Sequence, residues 1–366
     1  MHRWGVAAMA LCGAVGLWPG TAVGFDFTPP VPTRNFAPIQ LIFLNPPFEQ
    51  AATLQHGEVG LLVQTAESNV IATHQGSIDA TLKFEQNWTN FALRYGLFED
   101  WEVGIDLPFI SRYGGFMDPF IDWVEEAFGA KNVERDLFPD NTFGGYSVFQ
   151  GDTLLFQGGE VTFQPGDLVF SVKRQLPLPH PWPRLALRGN IKAPTGDPDE
   201  MLGSGEPDFG LGLAGDYQPW ERLMLYANLN LVYPVGPLTS ADLTLNPIFT
   251  QSFAAHLAMT RHFSAMLHQA TYTSPFHGTD ASLLDGTVVE LGFGLAFAWQ
   301  QTFGAQLLAI QNMSGVEQSA DFTLMLAMQW RPWAPRTSRT RRCWWTRSSS
   351  CSSGRTDRVR PSRVAD

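Results

Sequence analysis

Arg94, Glu102, Asp106, Lys173, Arg188 and Lys192 are charged residues set inside stretches that otherwise alternate apolar with small or polar side chains. Charges held at such positions can select what passes a water-filled lumen, or they can pair and hold the lumen's shape. His256 and His268 fall on neighbouring alternating stretches and could face each other, as an acid/base or metal pair or as two satisfied histidines. Asp197, Asp199, Glu200, Glu206 and Asp208 form an acidic cluster of the kind that binds calcium. Their spacing lacks the alternate oxygens and terminal glutamate of an EF-hand, so a solvated loop is the plainer reading. Ser252 and His256 share a strand face but stand ~13 Å apart, too far for a nucleophile and its base. No phosphate loop, nucleophile elbow or zinc signature is present, so no catalytic residue, metal ligand or cofactor is implied.

The elements that must position these residues are strands. Trp101, Val103, Ile105, Leu107 and Phe109 share one face, with Glu102, Gly104 and Asp106 on the other. Phe209, Leu211 and Leu213 alternate with Gly210, Gly212 and Ala214, and Leu291 to Trp299 alternates with Gly292, Gly294, Ala296 and Ala298. A soluble sandwich also alternates. Here the apolar faces run about 9–11 residues, the length that crosses hydrocarbon at a tilt. Aromatics such as Trp101, Tyr217, Tyr233, Trp299 and Trp330 stand at strand ends, where interface girdles belong.

Twelve strands are predicted near 57–69, 79–95, 100–112, 166–177, 182–194, 206–218, 222–234, 248–261, 263–274, 286–299, 302–313 and 320–330. The gaps alternate long and short, as the outer loops and periplasmic turns of a membrane barrel do. The fold class is therefore all-β, a single antiparallel transmembrane barrel of about twelve strands spanning 56–330. A phase slip near Gln86 predicts a bulge. Charged Arg94, Lys173, Arg188, Lys192, Glu102 and Asp106 fall inward on the second to fifth strands, opposite a wall of small residues.

The chain's ends differ from this core. Residues 1–24 carry Arg3, an apolar run from Val6 to Trp18 and a small-x-small site at Ala22-Val23-Gly24, the marks of a cleaved secretory signal. Residues 331–366 hold ten of the 24 Lys and Arg, without periodicity, and resemble a disordered or frameshifted tail more than a native one. Of the remaining charges, residues 25–330 keep 24 − 10 − 1 = 13 basic and 35 − 2 = 33 acidic, a net of −20 that argues against nucleic-acid binding. Cys12, Cys343 and Cys351 all lie in the two ends, leaving no disulfide or thiolate site between them.

Two further segments stand out. Loop 113–165 exceeds what a barrel needs, and such loops are usually functional. Within it Asp118 reads as an N-cap and Pro119 as the first helical residue. Phe120, Ile121, Val124 and Phe128 then share one face of a short amphipathic helix, flanked by Phe116 and Trp123. That helix would cap the mouth, gate the lumen or lie in the outer leaflet. Residues 25–55 are rich in proline and apolar side chains, and Ile39, Leu41 and Phe43 alternate with Gln40 and Ile42. This segment is expected as a plug or as a cover of the periplasmic mouth.

Several stretches resemble an uncharacterised domain-of-unknown-function family of proteobacterial outer-membrane barrels. They are Pro32-Thr-Arg-Asn-Phe, Gln40-Leu-Ile-Phe-Leu-Asn-Pro-Pro, Leu93-Arg-Tyr-Gly-Leu, Trp101-Glu-Val-Gly, Leu107-Pro-Phe-Ile, Gly114-Gly-Phe-Met-Asp, Phe120-Ile-Asp-Trp, Lys192-Ala-Pro-Thr-Gly-Asp and Gly203-Ser-Gly. The resemblance implies an outer-membrane location and a barrel fold. Pro-Thr-Gly followed by Gly-Ser-Gly also resembles barrels thought to pass hydrophobic compounds. The expected activity is that of a channel or transporter for small molecules. The expected partners are outer-membrane lipids and lipopolysaccharide, the barrel-insertion machinery that would read the strand ending on Trp330, and an unidentified small ligand. His262-Phe263-Ser264 has the His-x-Ser spacing of a barrel lipid-A deacylase, but at a predicted periplasmic turn. A lipid-modifying enzyme and a structural or surface-interaction barrel therefore remain as alternatives.

Overall fold

In the computed structural model the described residues are 25–128, 133–178, 183–236, 245–276, 279, 281, 283–300, 302–314 and 320–331. The signal-like residues 1–24 and the basic tail beyond Arg331 lie outside them. The strands are β1 (Val59–His74), β2 (Ile78–Phe98), β3 (Trp101–Tyr113), β4 (Gly145–Gln150), β5 (Thr153–Gln157), β6 (Val161–Pro165), β7 (Leu168–Gln175), β8 (Arg184–Ala193), β9 (Asp208–Trp220), β10 (Leu223–Pro234), β11 (Ile248–Ala258), β12 (Phe263–Thr273), β13 (Thr287–Trp299), β14 (Phe303–Ser314) and β15 (Phe322–Trp330). A four-residue helix α1 (Pro38–Leu41) precedes them, and α2 (Asp118–Phe128) lies between β3 and β4.

Twelve of these strands close a ring. β1, β2 and β3 pair in turn, β3 pairs with β7, β7 to β15 each pair with the next, and β15 returns to β1 with Leu61 opposite Trp330. Closure removes the unpaired strand edge that a lipid-embedded sheet cannot leave open. Leu93, Leu211, Leu231, Leu295 and Leu326 point outward as part of a continuous apolar belt. Phe98, Tyr217, Trp220, Trp299 and Trp330 ring its short-turn end. That belt fits hydrocarbon and that ring fits an interface girdle. The short turns 99–100, 221–222, 259–262 and 300–302 share one end, the periplasmic end in barrels of this kind.

Two expectations needed correction. The connection 114–167 carries three extra strands besides its helix: β4 pairs with β2, β5 with β4, and β6 with β3. The barrel wall therefore rises above the membrane on that side. No bulge forms near Gln86, because β1 and β2 pair without a register break from Val59–Tyr95 to His74–Ala80. The alternation fades there for another reason. Leu82 to Gln86 are all buried, since outer-loop residues cover the strand once it leaves the lipid. The alternating residues Ile39 to Phe43 run through and just past the short helix α1, which Pro38 opens.

Candidate functional site

Residues 25–58 thread the lumen as a hairpin. Its entry is at the short-turn end, where the Asp26 amide donates to Arg261 O at 3.0 Å. The chain then climbs. Gln306 Nε2 donates to Thr28 Oγ1 and Pro29 O, and Tyr226 Oη donates to Thr28 O at 2.7 Å. Arg34 places its guanidinium 3.9 Å over the Trp88 ring, and Phe36 meets the same ring edge-on at 5.9 Å. Helix α1 makes the turn at the outer end. The descending limb donates from Leu44 N to Asp208, from Glu49 N to Asn228, from Ala51 N to Asp216 and from Leu54 N to Glu102. Four strand side chains thus satisfy backbone that would otherwise be buried unpaired.

The small wall makes room for this hairpin. A Cβ added at Gly210 would lie 2.9 Å from Leu44 Cδ2, and one at Gly304 would lie 3.0 Å from Thr28 Cγ2. The small side chains therefore accommodate the chain's own leader and do not outline an open bore. Among the described residues, cavities of about 90 Å³ and 30 Å³ lie against the hairpin.

At its outer end the plug is dry. Ile39, Ile42, Phe43 and Leu44 pack with Phe84, Tyr146, Leu155, Phe156, Phe276 and Leu284 in one buried cluster. Phe276 joins the hairpin to the loops, meeting Phe43 at 5.8 Å and Phe156 at 5.9 Å between ring centroids. Each such large apolar side chain contributes about 1.5–3 kcal/mol by leaving water.

Below this seal the contacts are ionic. Lys173 Nζ lies 2.9 Å from both Glu102 Oε1 and Glu49 Oε2. Arg188 Nε lies 3.1 Å from Glu49 Oε1, and Arg94 Nη2 lies 2.8 Å from Asp106 Oδ2. Lys192, at the border of the two zones, contacts Asp167 and Asp208 and donates to Ile42 O and Ser204. The six charges named from alternation alone thus all turn inward and all find partners. His256 and His268 do meet, with Nε2 atoms 3.3 Å apart and Phe48 edge-on against His268. Glu49 and Arg34 escaped the alternation argument because they lie on no strand. A signal existed: between Asp26 and Glu58 they are the only charged side chains.

Asp208 does not belong to a solvated acidic loop; it is buried at the start of β9, bound to Lys192 and Leu44 N. Asp118 does not cap its helix either. Met117 O accepts from the amides of Phe120 and Ile121, while the Asp118 carboxylate binds Lys83, Arg135, Asn69 and Asn141 N. Burial pushes that carboxyl up, but Lys83 and the other donors outweigh burial and hold it below its ordinary value. Nearby, burial pushes the Tyr146 phenol well above its usual range. Ile121 is buried, whereas Phe116, Phe120 and Trp123 are exposed, and Phe120 meets Phe322 edge-on at 6.2 Å. The expected shared face of Phe120 and Ile121 is therefore split. Adjacent residues diverge by about 100° on a helix, and here Ile121 packs down while Phe120 turns to the rim. The side chains of Val124 and Phe128 lie outside the described residues. His262, at the short-turn end, stacks on Trp299 at 5.0 Å and its Nδ1 lies 3.0 Å from Ala298 O.

A closed twelve-stranded ring with an apolar exterior and a polar, filled interior defines an outer-membrane β-barrel. The chain belongs to a family described as a protein of unknown function (DUF3187), which matches residues 8–332. Among solved structures it is similar in fold to the COG4313 outer membrane channel from Pseudomonas putida F1. The identity is 12% and the TM-score 0.50, over 77% of this chain and 97% of that one. A NanC porin matches at 7% identity and a TM-score of 0.43, over 74% of this chain and 98% of that one. A Pseudomonas aeruginosa FadL homologue matches at 10% and 0.36, over 84% and 99%. No curated protein matches in sequence.

Proposed function

We propose that this protein is a channel or transporter that carries small molecules across the outer membrane of a Gram-negative bacterium, closed at rest by its N-terminal hairpin. The observation that carries the reading is the kind of contact holding the lower hairpin. Glu49, Ala51 and Leu54 meet the wall through ion pairs and hydrogen bonds, which water or a polar solute replaces at small net cost. A barrel meant only as a scaffold gains nothing from a seal it can release. In this reading residues 1–24 direct export and are cleaved, and insertion reads the strand that ends on Trp330. Lys173, Arg188, Arg94, Glu102 and Asp106 line the opened path.

The test is solute entry into proteoliposomes containing protein truncated after Trp330. A variant lacking residues 26–50 is expected to admit small sugars and organic acids far faster than the intact barrel, once heat-modifiable gel mobility shows both are folded. Equal, negligible entry through the two would contradict the proposal.

A further inference from the structure

Glu49 occupies a position that a free ligand could fill. It is the sole carboxylate of the hairpin between Asp26 and Glu58. The wall opposite presents two cations to it, Lys173 at 2.9 Å and Arg188 at 3.1 Å. Both are buried, with 4% and 3% of their surface exposed. Glu102 of the wall meets Lys173 at 2.9 Å, so the two desolvated cations share one wall carboxylate and are costly to bury unless a second anion completes them. Glu49 does not exhaust them. Arg188 Nη1 bonds Asn228, but Arg188 Nη2 is buried with no hydrogen-bond partner, and its Nε meets Glu49 without hydrogen-bond alignment. A guanidinium forks onto a carboxylate through two such nitrogens. A free carboxylate, unconstrained by the hairpin backbone, could satisfy both.

The surroundings specify the rest of the ligand. Beside Glu49 lies a cavity of mixed lining, with Arg94, Glu102, Lys173 and Gln306 among its polar side chains and Pro29, Pro30, Pro32, Pro47, Phe48 and Leu54 among its apolar ones. The polar side suits a carboxylate and the apolar side suits the body that carries it. Once Glu49 leaves, Arg94, Lys173 and Arg188 face Glu102 and Asp106, a local balance of 3 − 2 = +1 that favours an anion.

We propose that Lys173 and Arg188 form a carboxylate-binding site that Glu49 fills as an internal surrogate, and that the transported ligands are small organic acids with an apolar body. Binding of such an acid displaces Glu49 and so loosens the descending limb. The inference rests on the transport reading for its role, and its test separates the two.

Phenylbutyrate is titrated calorimetrically into folded, detergent-solubilised protein truncated after Trp330, with phenylbutyramide as the uncharged control. Glu49→Gln removes the competitor and is expected to tighten phenylbutyrate binding by about tenfold or more. Adding Lys173→Met with Glu102→Gln should abolish that binding, and the amide should not bind at all. Equal affinity of Glu49→Gln and unaltered protein, or equal binding of acid and amide, overturns the inference. In the unaltered protein phenylbutyrate should also speed amide exchange over residues 46–54, and unchanged exchange overturns it as well. Bilayer conductance measured in parallel tells the readings apart. Phenylbutyrate binding without conductance defeats transport and leaves the site. Conductance indifferent to phenylbutyrate in every variant leaves transport and defeats the site.

Discussion

The hairpin is held at its two ends by different forces. At the outer end Ile39, Ile42, Phe43 and Leu44 interlock with side chains from the outer loops and the upper parts of the strands. Near the short-turn end the same hairpin hangs on Glu49, Asn228, Asp216 and Glu102. Apolar packing depends on shape and is shared over many contacts, so the outer cluster yields only when several side chains move together. Ion pairs and hydrogen bonds act pair by pair, so the lower clamp can yield one contact at a time. Stepwise release from the bottom is thus cheaper than opening from the top.

The comparison breaks most severely if the outer seal is not packed. Phe43→Asp, which buries a charge among Phe156, Phe276 and Leu284, should leave the hairpin undocked and give steady bilayer conductance. Phe43→Ala should lower hairpin stability by about 3–5 kcal/mol, read as faster amide exchange across residues 38–44. If either variant behaves as the unaltered protein, the apolar cluster is not what holds the apex. A smaller effect is expected from the ionic clamp. Glu49→Gln should cost about 1.5–3 kcal/mol, read as faster amide exchange confined to residues 46–54 that leaves 38–44 untouched. Uniform exchange along both limbs would erase the distinction drawn here.

The outer loop provides a pH test. The Asp118 carboxyl has a depressed folded pKa, so its stabilisation is present above the ordinary value of 3.8 and is lost as pH falls through the lower folded value. Protease cutting within 114–144 should therefore stay constant from neutral pH down to 3.8 and rise only below it. A rise near neutrality would show that the contacts of Lys83 and Arg135 do not lock the loop. The smallest effect is predicted for Trp123→Ala. Its side chain is exposed, so barrel stability should change by no more than about 0.5 kcal/mol.

How much of this could be read from the sequence depended on periodicity. A period of two, repeated over nine to eleven residues, reports a strand with two unlike faces, and that sufficed for twelve strands and for the inward charges. It failed wherever both faces are covered. Leu82 to Gln86 lost their alternation beneath the outer loops, and β4, β5 and β6 are too short to establish one. Apart from Ile39 to Phe43, the hairpin shows no alternation, since its side chains meet the lumen wall on several sides and its backbone bonds to strand side chains. Gly210 and Gly304 were legible as small residues, yet only contact with Leu44 and Thr28 shows what their smallness accommodates. Pairings across long separations, such as Glu49 with Lys173, follow from barrel closure and leave no local trace.

The central claim is that the hairpin closes the lumen and must shift for anything to pass. Gly210 and Leu44 touch across that boundary, and truncation after Trp330 together with loss of residues 1–24 leaves no native cysteine. A Gly210→Cys and Leu44→Cys pair can therefore tether the apex to β9 by a single disulfide. Single-channel recording should then show steady current from the variant lacking residues 26–50, brief openings from the reduced pair, and silence from the oxidised pair that reduction reverses. Equal current from all three would show that the hairpin does not control the path.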